Sequence, residues 1–62
     1  MNYISFNPNR KELTHEGKVY HNVITIKENQ NYYEVIFRDG DVSKPLFRFP
    51  IVHTVIHYIY EQ

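Results

Sequence analysis

Residues 32–38 alternate. Tyr33, Val35 and Phe37 fall on one side of an extended backbone, and Tyr32, Glu34, Ile36 and Arg38 on the other. A period of two marks a strand with one face on a core. The run is bounded by Asn29-Gln30-Asn31 before it and Asp39-Gly40 after it. Both are turn formers, and Asp-Gly is a strong signal for a two-residue hairpin loop. A strand held between two reversals pairs antiparallel with both neighbours, so these residues set the centre of a meander.

Upstream, residues 19–28 form the longest strand candidate, with Tyr20, Asn22, Ile24 and Ile26 on one face. A loop at Asn29-Gln30 pairs Ile26 with Tyr33, Ile24 with Val35 and Asn22 with Phe37. All the large apolar side chains of both strands then share a side, and such agreement between turn and pattern fixes a register. On the other side the same register pairs Val23 with Ile36 and Lys27 with Tyr32. Downstream, a tight Asp39-Gly40 hairpin places Val42 opposite Phe37. Strict alternation from there turns Phe47 and Phe49 outward, so a bulge or loop that shifts the parity is expected at Ser43-Lys44-Pro45. Near the start, Ile4 and Phe6 share one face of a short strand, and Asn7-Pro8-Asn9-Arg10 has turn chemistry. Glu16-Gly17 suits a two-residue hairpin loop that sets Leu13 opposite Tyr20.

Residues 50–62 read as an amphipathic helix. Ile51, Val52, Val55, Ile56 and Ile59 fall on one arc, and His53, Thr54, His57 and Glu61 on the opposite one. Pro50 fits a first helical position, and Phe49 before it is held extended. The many β-branched residues favour a strand instead, with Val52, Thr54, Ile56, Tyr58 and Tyr60 on one face. The other face of such a strand mixes Ile51, Val55 and Ile59 with His53 and His57, whereas the helix separates polar from apolar. The expected fold is therefore α+β: an antiparallel β-meander of four or five short strands, with the C-terminal helix packed on one face. A small SH3-like barrel of the same strands is the alternative. Residues 1–62 form a single small domain.

A chain of 62 residues buries only about 60% of its unfolded surface. With no cysteine it has neither disulfides nor cysteine-based zinc sites to compensate. Six Tyr and four Phe must supply the core. Missing cysteines, signal peptide and membrane-spanning apolar run together point to a cytoplasmic setting. The short length and the Tyr, Ile, Asn and Lys bias suit a bacterial or phage accessory protein.

Motifs that carry chemistry are lacking. His53 and His57 stack on one face of a helix, but no third ligand accompanies them, and no Glu follows His53 as in HExxH. Ser5 and Ser43 lie in no nucleophile motif. Asp39 and Asp41 flank a turn glycine. No catalytic role, cofactor or metal is expected. Tyr3, Tyr32, Lys27 and Arg38 fall on the face away from the helix, which makes nucleic-acid binding by base stacking the alternative function. Seven basic against seven acidic residues supply no electrostatic footprint for it. That same face carries Val19, Val23 and Ile36 at its centre, Tyr32 at its rim, and His21, Thr25, Glu34 and Arg38 to set register. An uncovered apolar centre of this kind marks an association surface. The expected function is a non-enzymatic protein-interaction module. Its partner-binding residues are Val19, Val23, Tyr32, Ile36 and Arg38, and its partner is a second copy or a larger protein that it modulates.

Overall fold

A computed structural model describes residues 1–60. Seven strands follow one another: β1 (Asn2–Asn7), β2 (Glu12–His15), β3 (Lys18–His21), β4 (Val23–Glu28), β5 (Tyr32–Asp39), β6 (Val42–Pro50) and β7 (Thr54–Tyr58). A single 3-10 turn, Ile51–His53, separates the last two. The strands form two sheets, one of four in the order β3-β2-β1-β7 and one of three in the order β4-β5-β6.

Local chemistry explains most reversals. Asn7 Oδ1 accepts from the Arg10 N–H at 3.1 Å and closes the β1–β2 turn. Glu16 and Gly17 both take positive φ, 52° and 78°. Two successive positive φ values match the right-handed twist of the strands they join. Leu13 accordingly pairs with Tyr20, as the hairpin reading requires. Asn22 then takes φ 65°, a conformation asparagine tolerates better than most residues. Here the chain leaves the first sheet for the second. The corner is tied on both sides. Val23 N–H donates to the Lys11 carbonyl at 3.0 Å, and Arg38 N–H donates to the Asn22 carbonyl at 2.9 Å.

The β4–β5 register differs from the expected one by two residues. Asn29 Oδ1 accepts from the N–H groups of Asn31 (2.9 Å) and Tyr32 (2.7 Å). Asn29 N–H also donates to the Tyr32 carbonyl at 3.0 Å. The asparagine therefore brackets a Gln30-Asn31 loop instead of lying within it. Ile26 pairs with Val35, not Tyr33. A register shift between Val23 and Thr25 leaves Ile24 as the extra residue and puts Val23 opposite Phe37, in the core. The β5–β6 hairpin slips by two residues as well: Val42 pairs with Asp39 and Phe37 with Lys44, so the loop is Gly40-Asp41 and Val42 does not face Phe37. In β6 the expected parity shift occurs, one residue past the predicted stretch. Ile36 pairs with Pro45 and Val35 with Phe47, so Leu46 is the bulge. Phe47 and Phe49 turn inward as a result.

The C-terminal helix is not there. The described chain is nearly all β, with 70% of it in strands and 5% helical, so the α+β class is wrong. Pro50 starts only the 3-10 turn, in which the Thr54 N–H donates to the Ile51 carbonyl. Thr54 Oγ1 donates to the Pro50 carbonyl at 2.6 Å and leads the chain into β7. β7 then lies parallel to β1, with Ile4 beside Ile56 and Phe6 beside Tyr58. The helical reading sorted polar from apolar residues but neglected the free edge of β1. Pairing with that edge suits a β-branched run, and the mixed face bearing Val55 and His57 is simply the wet one.

The inner faces of the two sheets share one core. Ile4, Phe6 and Leu13 come from the four-stranded sheet, and Val23, Val35 and Phe49 from the three-stranded one. Edge-to-face contacts bind the layers together, Tyr20 on Phe47 at 4.9 Å and His15 on Phe49 at 4.8 Å. Such pairs stabilise by about 0.5–1.5 kcal/mol beyond the area they bury.

Val23 and Val19 provide a check on this layering. Val23→Lys places an unpaired charge in the core and should abolish the folded circular dichroism spectrum. Val19→Lys, on a wet face, should shift stability by less than about 0.5 kcal/mol in urea denaturation. Equal losses from the two would contradict the layer assignment.

Candidate interaction surfaces

Each sheet has one face away from the core, and the two differ in charge. On the four-stranded sheet, alternation turns Tyr3 and Ser5 of β1, Thr14 of β2, Val19 of β3, and Val55 and His57 of β7 outward. Cross-strand pairs bring Tyr3 beside Val55, Ser5 beside both His57 and Thr14, and Thr14 beside Val19. Tyr3 is 68% exposed, Val19 48% and Val55 46%. Among the strand residues of this face only Glu12 carries a formal charge, and its carboxylate lies 3.3 Å from His21 Nδ1. The face is flat, weakly apolar and close to neutral.

The outer face of the three-stranded sheet is ionic. Lys27, Glu34 and Arg48 form one cross-strand row, and Arg48 Nε donates to Glu34 Oε2 at 2.9 Å. Arg38 Nε donates to the Gly40 carbonyl at 3.0 Å. Ile36 lies between Thr25 and Pro45, almost wholly covered yet outside the central core cluster.

The five residues predicted to form a partner-binding patch do not form one. Tyr32, Ile36 and Arg38 share the outer face of the three-stranded sheet. Val23 is fully buried in the core, because the bulge at Ile24 reverses its side. Val19 belongs to the other sheet. The stacking set is split in the same way. Tyr3 is on one sheet, and Tyr32, Lys27 and Arg38 are on the other. Arg38 and Arg48 of that second face already have a carbonyl and a carboxylate partner, which lowers their appeal to phosphate.

Other candidates are dispersed. His53 is in the 3-10 turn and His57 in β7, so no helix aligns them. No group of three or more His, Cys, Asp or Glu among the described residues could hold a metal ion. A shallow open hollow at the Leu46 bulge is lined by Pro45, Leu46, Phe47 and Arg48, a set without an acid–base pair. No helix among the described residues is long and apolar enough to cross a membrane. The chain matches no known family model, no curated protein and no solved structure.

One cluster was not anticipated. At one end of the shared core, Tyr58 of β7 meets Phe6 edge-on, with centroids 5.9 Å apart and planes at 69°. Tyr60 stacks on Tyr58 at 6.1 Å and 13°. Reading residues 54–60 as a strand, with Tyr58 and Tyr60 on one face, is the signal that would have found it. The Tyr58 hydroxyl titrates above its usual value of 10.0, chiefly because it is partly buried, then because Tyr60, Tyr33 and Glu28 oppose its ionisation.

That shift carries a sign. The folded state holds the phenolic proton more tightly than the unfolded chain does. Its contribution is complete below the unfolded value near 10.0 and is lost as pH rises through the higher folded one. Melting temperature should therefore fall at strongly alkaline pH, and Tyr58→Phe should fall less steeply than wild type. Parallel slopes for the two proteins would exclude Tyr58 as a contributor.

Proposed function

We propose that this chain is a non-enzymatic protein-interaction module. Its working surface is the outer face of the four-stranded sheet, and its first partner is a second copy of itself. The observation that carries this reading is the near-neutral patch around Tyr3, Val19 and Val55, whose one strand carboxylate already has an imidazole beside it. Charge depletion with an aromatic anchor is the compositional mark of an interface centre. A face with a single carboxylate, placed beside an imidazole, also meets its own copy with little like-charge repulsion, which a two-fold dimer requires.

Geometry sets the strength. Four strands about 4.8 Å apart and five residues of about 3.3 Å each give a flat area of roughly 300 Å². Two such faces fall below the roughly 1,200 Å² typical of stable complexes. Self-association is therefore weak and concentration-dependent. It leaves the ionic face of the other sheet, with Tyr32 and Arg38, free for a larger protein that the module would modulate.

Light scattering coupled to size exclusion, from micromolar to near-millimolar protein, tests the proposal. The apparent mass should rise with concentration for wild type and stay at the monomer value for Val19→Lys/Val55→Lys with an unchanged circular dichroism spectrum. A wild type that stays monomeric across the whole range would refute self-association through this face.

A further inference from the structure

The four-stranded sheet ends on β3 and β7, and the three-stranded sheet on β4 and β6. An end strand leaves backbone N–H and C=O groups open to pairing, and proteins usually blunt it with Lys, Pro, a bulge or short length. β3 has four residues and begins with Lys18. β4 carries the Ile24 bulge and Lys27. β6 carries Lys44, Pro45, the Leu46 bulge and Arg48. β7, Thr-Val-Ile-His-Tyr, has neither Lys, Pro nor bulge. No Asp, Glu, Lys or Arg occurs from Phe49 to Tyr60. The same stretch exposes Val52, Val55, Tyr58, Ile59 and Tyr60, so the unguarded edge is also an apolar one.

The direction of its free groups follows from one bond. The Ile59 N–H donates to the Phe6 carbonyl at 2.8 Å. Peptide groups alternate in direction along a strand, so those of Val55, His57 and Ile59 point at β1, and those of Ile56 and Tyr58 point away from it. No strand lies on that side among the described residues. Thr54 is different, because its N–H already donates to the Ile51 carbonyl.

We propose that β7 pairs antiparallel with β7 of a second copy, about a two-fold axis normal to the sheet. Like charges directly opposite each other destabilise a strand pair, and two identical strands commonly bring them together. Here there is no formal charge to oppose, so the edge is complementary to itself. Ile56 and Tyr58 of each copy supply the ladder groups. Two four-stranded sheets become one of eight, with both outer faces side by side in one surface. The ends of the joined sheet are then the blunted β3 strands, so assembly closes at two copies and does not grow into a filament. This contact goes beyond the outer-face association and does not rest on it.

Amide hydrogen exchange of the wild-type chain, followed by NMR from micromolar to near-millimolar protein, tests the pairing. The Ile56 and Tyr58 amides should slow with concentration by about tenfold, the factor expected when roughly nine copies in ten are paired. The Val55, His57 and Ile59 amides, already bonded to β1, should change far less. Val19→Lys charges the outer face at the far strand and should leave a dimer in light scattering. Val55→Lys would not separate the two contacts, because it places a lysine on this edge as well. A chemically synthesised chain carrying an N-methyl group on the Tyr58 nitrogen keeps every side chain and every β1–β7 bond. It should lose the concentration-dependent protection of Ile56 while retaining the wild-type circular dichroism spectrum. Fast exchange of Ile56 and Tyr58 at all concentrations, a monomeric Val19→Lys, or unchanged Ile56 protection in the N-methylated chain would each overturn the proposal.

Discussion

The parallel ladder between β1 and β7 is the interaction on which the arrangement depends. The other four pairings among the described residues, β1–β2, β2–β3, β4–β5 and β5–β6, are hairpins between neighbours in sequence. Hairpins alone would give two separate three-stranded ribbons, each with one bare apolar face. By returning to β1, β7 carries the chain from the second sheet back to the first and holds the two inner faces together. The loop closed by this pairing spans nearly the whole chain, so its entropic cost must be met before the contact forms. Folding is expected to be slow for a chain of this size, as non-local β pairings generally are.

How much was legible depended on whether the deciding information was local. The Glu16-Gly17 hairpin and the Leu13–Tyr20 pair were readable, because two residues and an alternation determine them. The inward turn of Phe47 and Phe49 was readable from a conflict, since strict alternation would have exposed two phenylalanines. The β4–β5 register was missed because the Asn29 side chain replaces a backbone partner and moves the loop by one position. Residues 54–58 were misread because a helix and a strand both fit them, and only the distant β1 edge decides.

The candidate site failed for a related reason. Strand alternation is a parity rule, and one bulge inverts every assignment beyond it. Ile24 is such a bulge, and it moves Val23 from a proposed surface into the core. The neutral patch around Tyr3 and Val55 needs the parallel ladder to exist at all. The tyrosine cluster needs the same ladder, across which Phe6 and Tyr58 meet. Neither could be assembled from neighbours in sequence.

The direction of that ladder has a mechanical consequence. Because β1 and β7 run the same way, Met1 precedes one end of the pair and Tyr60 follows the other. Pulling these two residues apart loads the strands in shear. The hydrogen bonds from Asn2 to Phe6 then share the force and must break together. An antiparallel pair of terminal strands would instead peel open one bond at a time. A domain with modest equilibrium stability can thus resist stretching along the chain far better than its thin core would suggest.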